Sequence, residues 1–350
     1  MRISVTADAH LRTRADYPER YNALENVFEH TTSEGIEHII IAGDLFDKDF
    51  QNYSEFEGLC QQYKGLQFHI IPGNHDPNIN EKKILGDNVH IYTEPTLIEL
   101  GSAKFLFIPF EEKVTMGEKI AEMTSDIGDA KWVLIGHGDF YGGVKEINPL
   151  EPGTYMPLSR IHLEKYGPKI VLLGHIHTPL SQGRVHYTGS PCGLDISETG
   201  KRRFLVFNSE SNELTAKTVD TDYLFYKESF VIIPTSEEGS ILQAEIEKTI
   251  DQWDLEESDI PKVRLRIKAA GYASDRSKVL QVLEKGFERF EYYRDEGPNI
   301  DQLNSSSDVQ LNAIAEKTIS LIDDLEWSYG IDEPTKDQIK MAALSTIYLD

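Results

Sequence analysis

Apolar segments in the first half of the chain follow one pattern, in which a run of large aliphatic residues ends in polar residues. The five runs are RISVTADAH from residue 2, HIIIAGDLFD from 38, FHIIPGNHD from 68, WVLIGHGDF from 132 and IVLLGHIH from 170. Continuous apolar runs of this length are typical of strands that are buried on both faces of a sheet. The pattern predicts five buried strands whose carboxyl ends carry acidic, amide and imidazole side chains.

Between these runs lie segments whose apolar residues have the spacing of a helix. The helical positions are Tyr21, Leu24, Val27 and Phe28 between the first two runs, and Phe56, Leu59, Cys60 and Tyr63 between the next two. Spacings of three and four residues place such side chains on one helix face, so the order predicts strand-helix-strand crossover units. Two further segments, from residues 96 and 202, predict β-hairpins. The predicted fold class is α/β, with a two-sheet β-sandwich flanked by helices over residues 1–222.

The pattern changes after residue 222. A strand from residue 229, an alternating strand from 262 (KVRLRIKAAG) and two amphipathic helices predict a small α/β domain over residues 223–298. Residues 299–350 contain two amphipathic segments separated by Gly330 and Pro334, which predict a pair of helices. A pair this short has little core of its own. It must pack against its own chain or against a partner protein, and the pattern leaves both alternatives open.

Composition narrows the class of protein. The 350 residues include 35 basic and 59 acidic side chains, and the net charge of −24 repels polyanions, although bound cations can reverse the field locally. No apolar stretch approaches the roughly 18 residues that a membrane span needs, and no apolar leader precedes the first strand. Cys60 and Cys192 lie far apart, which favours a reducing compartment. We therefore expect a cytoplasmic protein without membrane contact.

The polar residues at the strand ends are candidates for a metal site. They are Asp8, His10, Asp44, Asn74, His75, His137, His175 and His177. Each alone has a structural explanation as a turn, a loop cap or a core histidine, but structural roles do not explain the set at corresponding positions in one sheet. Ligands collect beyond the carboxyl ends of such strands. Oxygen and imidazole donors without thiolates select manganese, iron, zinc or magnesium, and their number favours two ions that share a carboxylate.

The motifs that carry these residues resemble the calcineurin-like metallophosphoesterase superfamily. They are D-x-H (Asp8, His10), GD (Gly43, Asp44), GNHD (Gly73 to Asp76), GH (Gly136, His137) and GHxH (Gly174, His175, His177). The resemblance implies that Asp8, His10, Asp44 and His177 hold one metal and that Asp44, Asn74, His137 and His175 hold the other. It also implies that His75 is the general acid of phosphodiester hydrolysis and that Asp47 orients it. A solvated turn charge is the structural alternative for Asp47.

Secondary features are similar to the SbcD-type double-strand-break repair nucleases. They are HLRTRADYPERYNALENVF after the first motif, GDLFD, and GHIHTPLSQGRVHYTGSPCGLDISETGKRRFLVFN. This resemblance implies a manganese-dependent DNA nuclease of double-strand-break repair and recombination, with a DNA-binding cap at 223–298. It implies that residues 299–350 dock on an SMC-like coiled-coil ATPase, and we expect a homodimer. Asp47 stands where eukaryotic and archaeal members often have histidine, which leaves the balance of exonuclease and endonuclease activity open.

Basic residues that could contact DNA are the weakest part of this prediction. The candidates are Arg12, Arg14, Arg20, Lys82, Lys83, Lys201, Arg202, Arg203, Arg264, Arg266 and Lys268. Each could equally belong to a solvated helix or strand face. Two alternative functions therefore stay open, a metallophosphodiesterase that acts on small nucleotides and a non-catalytic subunit that tethers DNA.

Overall fold

The computed structural model describes residues 1–128, 131–141, 154–235, 237–326 and 333–348, and the chain divides into two compact units. Unit 1 comprises Met1–Leu194 and Lys201–Asp222, and unit 2 comprises Asp195–Gly200 and Tyr223–Asp350. Gly330, which we predicted to separate the last two helices, lies outside the described residues. No helix in the described ranges has the length and apolar character needed to cross a membrane.

Unit 1 is built from strands and helices that alternate along the chain. Its strands are β1 (Arg2–Thr6), β2 (His38–Ala42), β3 (Gln67–Ile71), β4 (Val89–Ile91), β5 (Thr96–Leu100), β6 (Ala103–Ile108), β7 (Trp132–His137), β8 (Phe140–Tyr141), β9 (Leu158–Ser159), β10 (Ile170–Gly174), β11 (Leu180–Gln182), β12 (Val185–Tyr187), β13 (Arg203–Asn208) and β14 (Glu213–Thr218). Its helices are α1 (Pro18–Ser33), α2 (Ser54–Gln62), α3 (Met116–Glu122), α4 (Thr124–Ile127) and α5 (Arg160–Tyr166).

These strands form two mixed sheets. The first has the order β14-β13-β1-β2-β3-β4, with β1 to β4 parallel, and the second has the order β11-β12-β10-β7-β6-β5, with β12, β10, β7 and β6 parallel. The hairpins predicted from residues 96 and 202 are present as β5–β6 and β13–β14. The five runs therefore form strands as predicted, but they do not share one sheet. Three belong to the first sheet and two to the second, because an apolar run does not specify its neighbour.

The core of unit 1 lies in layers. Val5, Ile40 and Phe207 of the first sheet pack with Phe105 and Val133 of the second in the space between the sheets. Helices α1 and α2 cover the outer face of the first sheet, and α3 and α5 cover the outer face of the second. Helix, sheet, sheet and helix follow one another, which confirms the predicted fold class.

Unit 2 is a smaller α/β body. Its elements are β15 (Leu224–Ile232), α6 (Glu238–Gln252), β16 (Val263–Ala273), α7 (Arg276–Gly286), β17 (Glu291–Tyr292), β18 (Asn299–Ser305), α8 (Val309–Asp323) and α9 (Lys336–Tyr348). Strand β18 pairs with β16 in parallel, so the segment predicted to be helical from residue 299 begins with a strand. Its side chains are mostly exposed and only Leu303 is buried, which explains why apolar periodicity does not reveal it. Helices α8 and α9 pack against each other and α9 against β15 and β16.

A row of histidines crosses three neighbouring strands of the first sheet. His69 of β3 is buried and lies 3.0 Å from His38 of β2 through its Nε2 atom and 2.8 Å from the Tyr92 hydroxyl through its Nδ1 atom. The ring of His90 in β4 stacks beside it, with centroids 5.3 Å apart. Burial, together with His38 and His90, lowers the pKa of His69 to about 3. The imidazole is therefore neutral in the folded protein.

This neutral histidine makes stability depend on pH. The pKa of His69 is lower in the folded chain than the unperturbed value of 6.5, so its contribution to stability is complete above that value and is lost as the pH falls toward 3. Between about pH 7 and about pH 4.5 we expect wild type to lose about 2 kcal/mol more of its free energy of unfolding than His69→Gln. Urea unfolding at both pH values measures this difference. His30→Gln, at an exposed position of α1, is the control, and equal losses in all three proteins would contradict the prediction.

Candidate metal centre

The predicted site residues meet where the carboxyl ends of β1, β2 and β3 face those of β7 and β10. Four of them have left-handed backbone, with φ of 56° at Asp8, 45° at His10, 48° at Asp44 and 94° at His175. Residues other than glycine seldom adopt this conformation, which costs about 1 to 3 kcal/mol each and clusters at functional sites. The backbone N–H of His175 donates to Asp8 Oδ1 at 2.8 Å, which joins an end of the second sheet to an end of the first.

At two positions of the motifs only glycine fits, because a side chain would collide with a neighbouring residue. A Cβ atom at Gly73 would overlap the Asp44 carboxylate, and a Cβ atom at Gly43 would overlap the His137 imidazole. Gly43 also has a φ of 91°, in the left-handed region. The glycines of GD and GNHD thus allow Asp44 to lie against both neighbouring strand ends.

One cluster of ligand atoms lies around His10. Asp8, His10 and His177 each offer one ligand atom, and these atoms lie within 4.8 Å of one another. His10 Nε2 faces His177 Nε2 at 3.0 Å, and Asp44 Oδ2 lies 3.7 Å from His10 Nε2. Ligands that share an ion at bond lengths of about 2.1 Å are about 3.0 to 3.4 Å apart. Asp8 Oδ2 is buried and has no hydrogen-bond partner among the described residues, as expected of an atom that binds a cation.

A second cluster lies around His137. Asp44, His137 and His175 offer ligand atoms within 4.8 Å of one another. His137 Nε2 lies 3.3 Å from Asp44 Oδ2 and 2.8 Å from Asn74 Oδ1, which in turn lies 3.1 Å from His175 Nδ1. His137 Nδ1 donates to the Ala42 carbonyl at 2.9 Å, which leaves Nε2 for a cation. Asp44 borders both clusters through one oxygen, as a bridging carboxylate would.

The electrostatics of the clusters fit divalent cations. Burial raises the pKa of Asp8 to about 6, and burial lowers the pKa of His10 to about 3, so His10 has the neutral form that binds metals. Burial opposes a charge on His137, but Asp44 and Asp8 raise its pKa to about 9. The buried carboxylates therefore hold a proton on His137. A cation bound beside His137 would release that proton and take over its charge.

His75 lies at the edge of the first cluster. Its Nδ1 atom is 3.2 Å from Asp47 Oδ1, and its ring stands edge-on to His10 with centroids 4.6 Å apart. Burial opposes the charge on Asp47, but the hydrogen bonds from His75 and the Lys48 backbone hold the pKa of that carboxyl well below its usual range. Distance alone also admits His75 as a metal ligand beside His10 and Asp44. The contact of Nδ1 with Asp47 fixes the orientation of the His75 ring.

The sequence profile of the calcineurin-like phosphoesterases matches residues 1–179, just over half of the 350 residues. The chain belongs to this family. Membership implies metal-dependent hydrolysis of phosphoesters, and the His and Asp groups described above can bind the metal. No curated protein matches the chain at a significant level.

Two of the solved structures to which this phosphoesterase is similar are a bacterial protein and an archaeal phosphodiesterase. Protein TT1561 of Thermus thermophilus is 14% identical, covers 63% of this chain and 99% of its own, and has a TM-score of 0.42. An archaeal phosphodiesterase is also 14% identical, covers 63% of this chain and 100% of its own, and has a TM-score of 0.35.

Two arginines near the first motif hold Asp47 in this phosphoesterase. Arg12 Nε and Arg20 Nη1 lie 3.3 and 3.4 Å from Asp47 Oδ2. Arg20 is buried and also donates to the backbone carbonyl of His10, and Tyr17 packs against both guanidinium groups. Arg12 and Arg20, which we predicted as DNA contacts, thus have partners within the site.

Other predicted DNA contacts are paired with acids. The ion pairs are Arg14–Glu25, Arg264–Glu291 and Arg266–Glu296, the last two with N···O distances of 2.9 and 3.0 Å. Each pair would have to open, or to accept a nearby glutamate, before the arginine met a phosphate. These contacts remain predictions, but the pairs weaken the case for a broad basic surface.

Arg202 is buried, whereas a residue that contacts DNA must be exposed. Its side chain is 2% exposed, and Nη1 donates to the His177 carbonyl at 2.9 Å. Arg202 thus supports the loop of a candidate ligand, and its predicted DNA contact does not agree with its burial. Lys82 and Lys83 are exposed and form no ion pair with any residue that the structure describes.

Asp139 is a site residue that the strand-end pattern does not single out. Its Oδ1 atom lies 3.6 Å from His175 Nε2, while Oδ2 accepts a hydrogen bond from the Tyr155 backbone at 2.7 Å. A carboxylate on the far nitrogen of an imidazole fixes the orientation of the ring toward a metal. The only signal in the sequence is its place in GHGDF, two residues after His137.

Replacing Asp139 with asparagine is expected to weaken metal binding more than it alters the fold. We expect the affinity for Mn²⁺ to fall about 10- to 100-fold, because the ring of His175 loses its charged partner. Isothermal titration calorimetry measures the change. Asp126→Asn, at an exposed position of α4, should bind Mn²⁺ like wild type, and an equal affinity in Asp139→Asn would refute the role of Asp139.

Proposed function

We propose that this phosphoesterase is a two-metal nuclease that hydrolyses phosphodiester bonds of DNA in double-strand-break repair and recombination. The observation that carries the proposal is Asp44, shared by two clusters of cation ligands, with the His75–Asp47 pair at their edge. The choice of DNA as substrate is supported by the motifs that resemble SbcD-type nucleases. These motifs begin at the strand ends that carry His10, Asp44 and His175.

The proposal assigns a set of ligands to each cation. Asp8, His10, Asp44 and His177 hold one, and Asp44, Asn74, His137 and His175 hold the other, with Mn²⁺ as the preferred ion. Bound cations neutralise the charge of the phosphodiester and make a water molecule acidic enough to supply the nucleophile at neutral pH. The chain orients the ligands through backbone contacts, such as the bond of His137 Nδ1 to the Ala42 carbonyl.

His75 completes the reaction in this proposal. When the bond between phosphorus and the leaving oxygen breaks, His75 Nε2 gives its proton to that oxygen. Asp47 accepts the Nδ1–H of the same ring and so favours the protonated imidazole. Arg12 and Arg20 anchor Asp47, which keeps the imidazole aimed while the proton moves.

A second candidate function is hydrolysis of small nucleotide phosphodiesters by the same site. The observation that favours it is charge. The net charge of −24 repels a long polyanion, and three of the predicted DNA-contacting arginines are engaged in the ion pairs Arg14–Glu25, Arg264–Glu291 and Arg266–Glu296. A DNA complex would therefore be salt-sensitive unless a partner adds basic surface.

The ranking of substrates tests the proposal. The full chain is incubated with Mn²⁺ and single-stranded DNA, duplex DNA with free ends, cyclic dinucleotides or bis(4-nitrophenyl) phosphate. We expect kcat/KM to be higher for DNA than for the small diesters. The reverse ranking would replace the nuclease with the second candidate, and a failure to hydrolyse any phosphodiester would contradict both.

A partner is also part of the proposal. We propose that α8 and α9 dock on an SMC-like coiled-coil ATPase and that the nuclease works as a homodimer. Helix α8 supports this because Val309, Ile314 and Leu321 are 80%, 53% and 60% exposed, which is more apolar exposure than a solvated helix needs. Ile314→Glu with Leu321→Glu should abolish co-purification with the ATPase, whereas exposed Lys317→Glu should not. Retained co-purification would refute this docking face.

A further inference from the structure

A cavity of about 210 Å³ opens directly beside His75 in unit 1. Its walls come from the loop after β2, at residues 48–53, and from the loop after β3, which includes Asn78, Ile79 and Lys83. Buried Asp76 ties the bases of these loops together, because its carboxylate accepts the backbone N–H groups of Phe46 at 3.0 Å and Gly73 at 2.7 Å. The cavity is therefore preformed, and His75 is part of its wall.

One wall of the cavity is aromatic. Phe50 and Tyr53 line it, and both pack on the buried ring of Phe46, with centroids 6.1 and 4.7 Å away. Both are only partly buried, so they present ring surface to the cavity. Aromatic rings supported in this way stack with nucleobases irrespective of sequence.

Two lysines on the rim lack partners. Lys48 and Lys83 line the cavity, are exposed and form no ion pair with any residue in the described ranges. In a chain of net charge −24, whose arginines near the site are paired with acids, unpaired ammonium groups beside the general acid provide a place for a second anion. Two aspartates, exposed Asp49 and buried Asp76, also line the cavity and oppose an anion, so the lysines must outweigh two carboxyl groups.

We propose that this cavity binds the leaving-group nucleoside and that Lys48 and Lys83 bind the next phosphate along the strand. The inference rests on the proposed function, because His75 defines the leaving-group side. It makes Lys48 and Lys83 specificity-determining residues that do not contact the reacting atoms. Substrates with a phosphate one nucleotide beyond the scissile bond are therefore preferred over diesters with a single phosphate.

Thymidine oligomers of two lengths test the cavity. The dinucleotide TpT has one phosphate and the trinucleotide TpTpT has two, so only TpTpT can reach both the site and the lysines. We expect wild type to show a kcat/KM about tenfold higher for TpTpT than for TpT, mainly through KM. In the double variant Lys48→Ala with Lys83→Ala, the kcat/KM for TpTpT should fall to the value for TpT. The kcat/KM for bis(4-nitrophenyl) phosphate should not change. Lys64→Ala, which removes an exposed lysine outside the cavity and outside the predicted DNA contacts, should keep the preference.

The outcomes separate this inference from the proposed function. A preference for TpTpT that survives in the double variant, or that Lys64→Ala abolishes equally, would overturn the cavity assignment while hydrolysis stands. If wild type hydrolyses none of these substrates, the proposed function fails. Fluorescence anisotropy of labelled TpTpT with Ca²⁺ then decides the cavity alone, because equal affinity for wild type and the double variant would overturn it.

Discussion

Replacing Asp44 with asparagine is expected to abolish turnover and the binding of both cations while the fold persists. Asp44 Oδ2 lies 3.3 Å from His137 Nε2 and 3.7 Å from His10 Nε2, so its charge serves both clusters. Burial opposes that charge, but His137 and His10 hold the pKa of the Asp44 carboxyl well below its usual range. Asparagine keeps the size and can still accept the His75 backbone N–H, which Asp44 Oδ1 accepts at 2.8 Å.

The expected loss in kcat/KM is at least about 10³-fold, because a shared carboxylate supports several kcal/mol of charge stabilisation by two ions. Calorimetry with Mn²⁺ should find neither ion bound tightly, and the thermal midpoint should no longer rise when Mn²⁺ is added. In EDTA the variant should unfold as cooperatively as wild type. Asp87→Asn, an exposed aspartate outside the site motifs, should behave as wild type in every assay. Two tightly bound ions in Asp44→Asn would refute the bridging role.

The position of Asp44 illustrates what the sequence predicts well. A buried strand is a continuous apolar run, and its carboxyl end is where the first polar residues follow, so a candidate ligand at a strand end can be located without coordinates. All the predicted ligands lie in the two clusters or beside them. The division of the five strands between two sheets could not be predicted, since it depends on which apolar face each run meets.

The sequence does not reveal which charged side chains lie next to each other in the folded chain. Arg202 and Arg264 look alike as basic residues in or beside a strand, yet Arg202 is buried against the His177 carbonyl and Arg264 pairs with Glu291. Asp139 approaches His175 only because two strands of the second sheet end side by side. The partners in these contacts come from distant parts of the chain, so residue spacing in the sequence does not predict the contacts. The position of Lys48 in the wall of the cavity could not be predicted from the sequence either, because a charged residue in a loop belongs to no periodic pattern.

Replacing His75 with glutamine is expected to slow hydrolysis according to the leaving group. Alkoxide leaving groups, as in DNA or TpT, need a proton as the bond to phosphorus breaks, so kcat should fall about 10²- to 10⁴-fold. The 4-nitrophenolate ion leaves without a proton, so hydrolysis of bis(4-nitrophenyl) phosphate should fall by less than about tenfold. Asp47→Asn should show the same selectivity more weakly, because the imidazole keeps its place but loses the carboxylate 3.2 Å from Nδ1.

Metal binding distinguishes this role from the alternative that distance also allows, in which His75 is a ligand. Glutamine at position 75 should leave the number of bound Mn²⁺ ions and their affinity close to wild type, because the two clusters keep all their other donors. His30→Gln, at an exposed helix position, should leave both substrates unaffected. Equal losses with both leaving groups, accompanied by weaker Mn²⁺ binding, would instead assign His75 to the cation. The two outcomes differ because a proton donor acts only on the departing oxygen, whereas a ligand acts on every substrate alike.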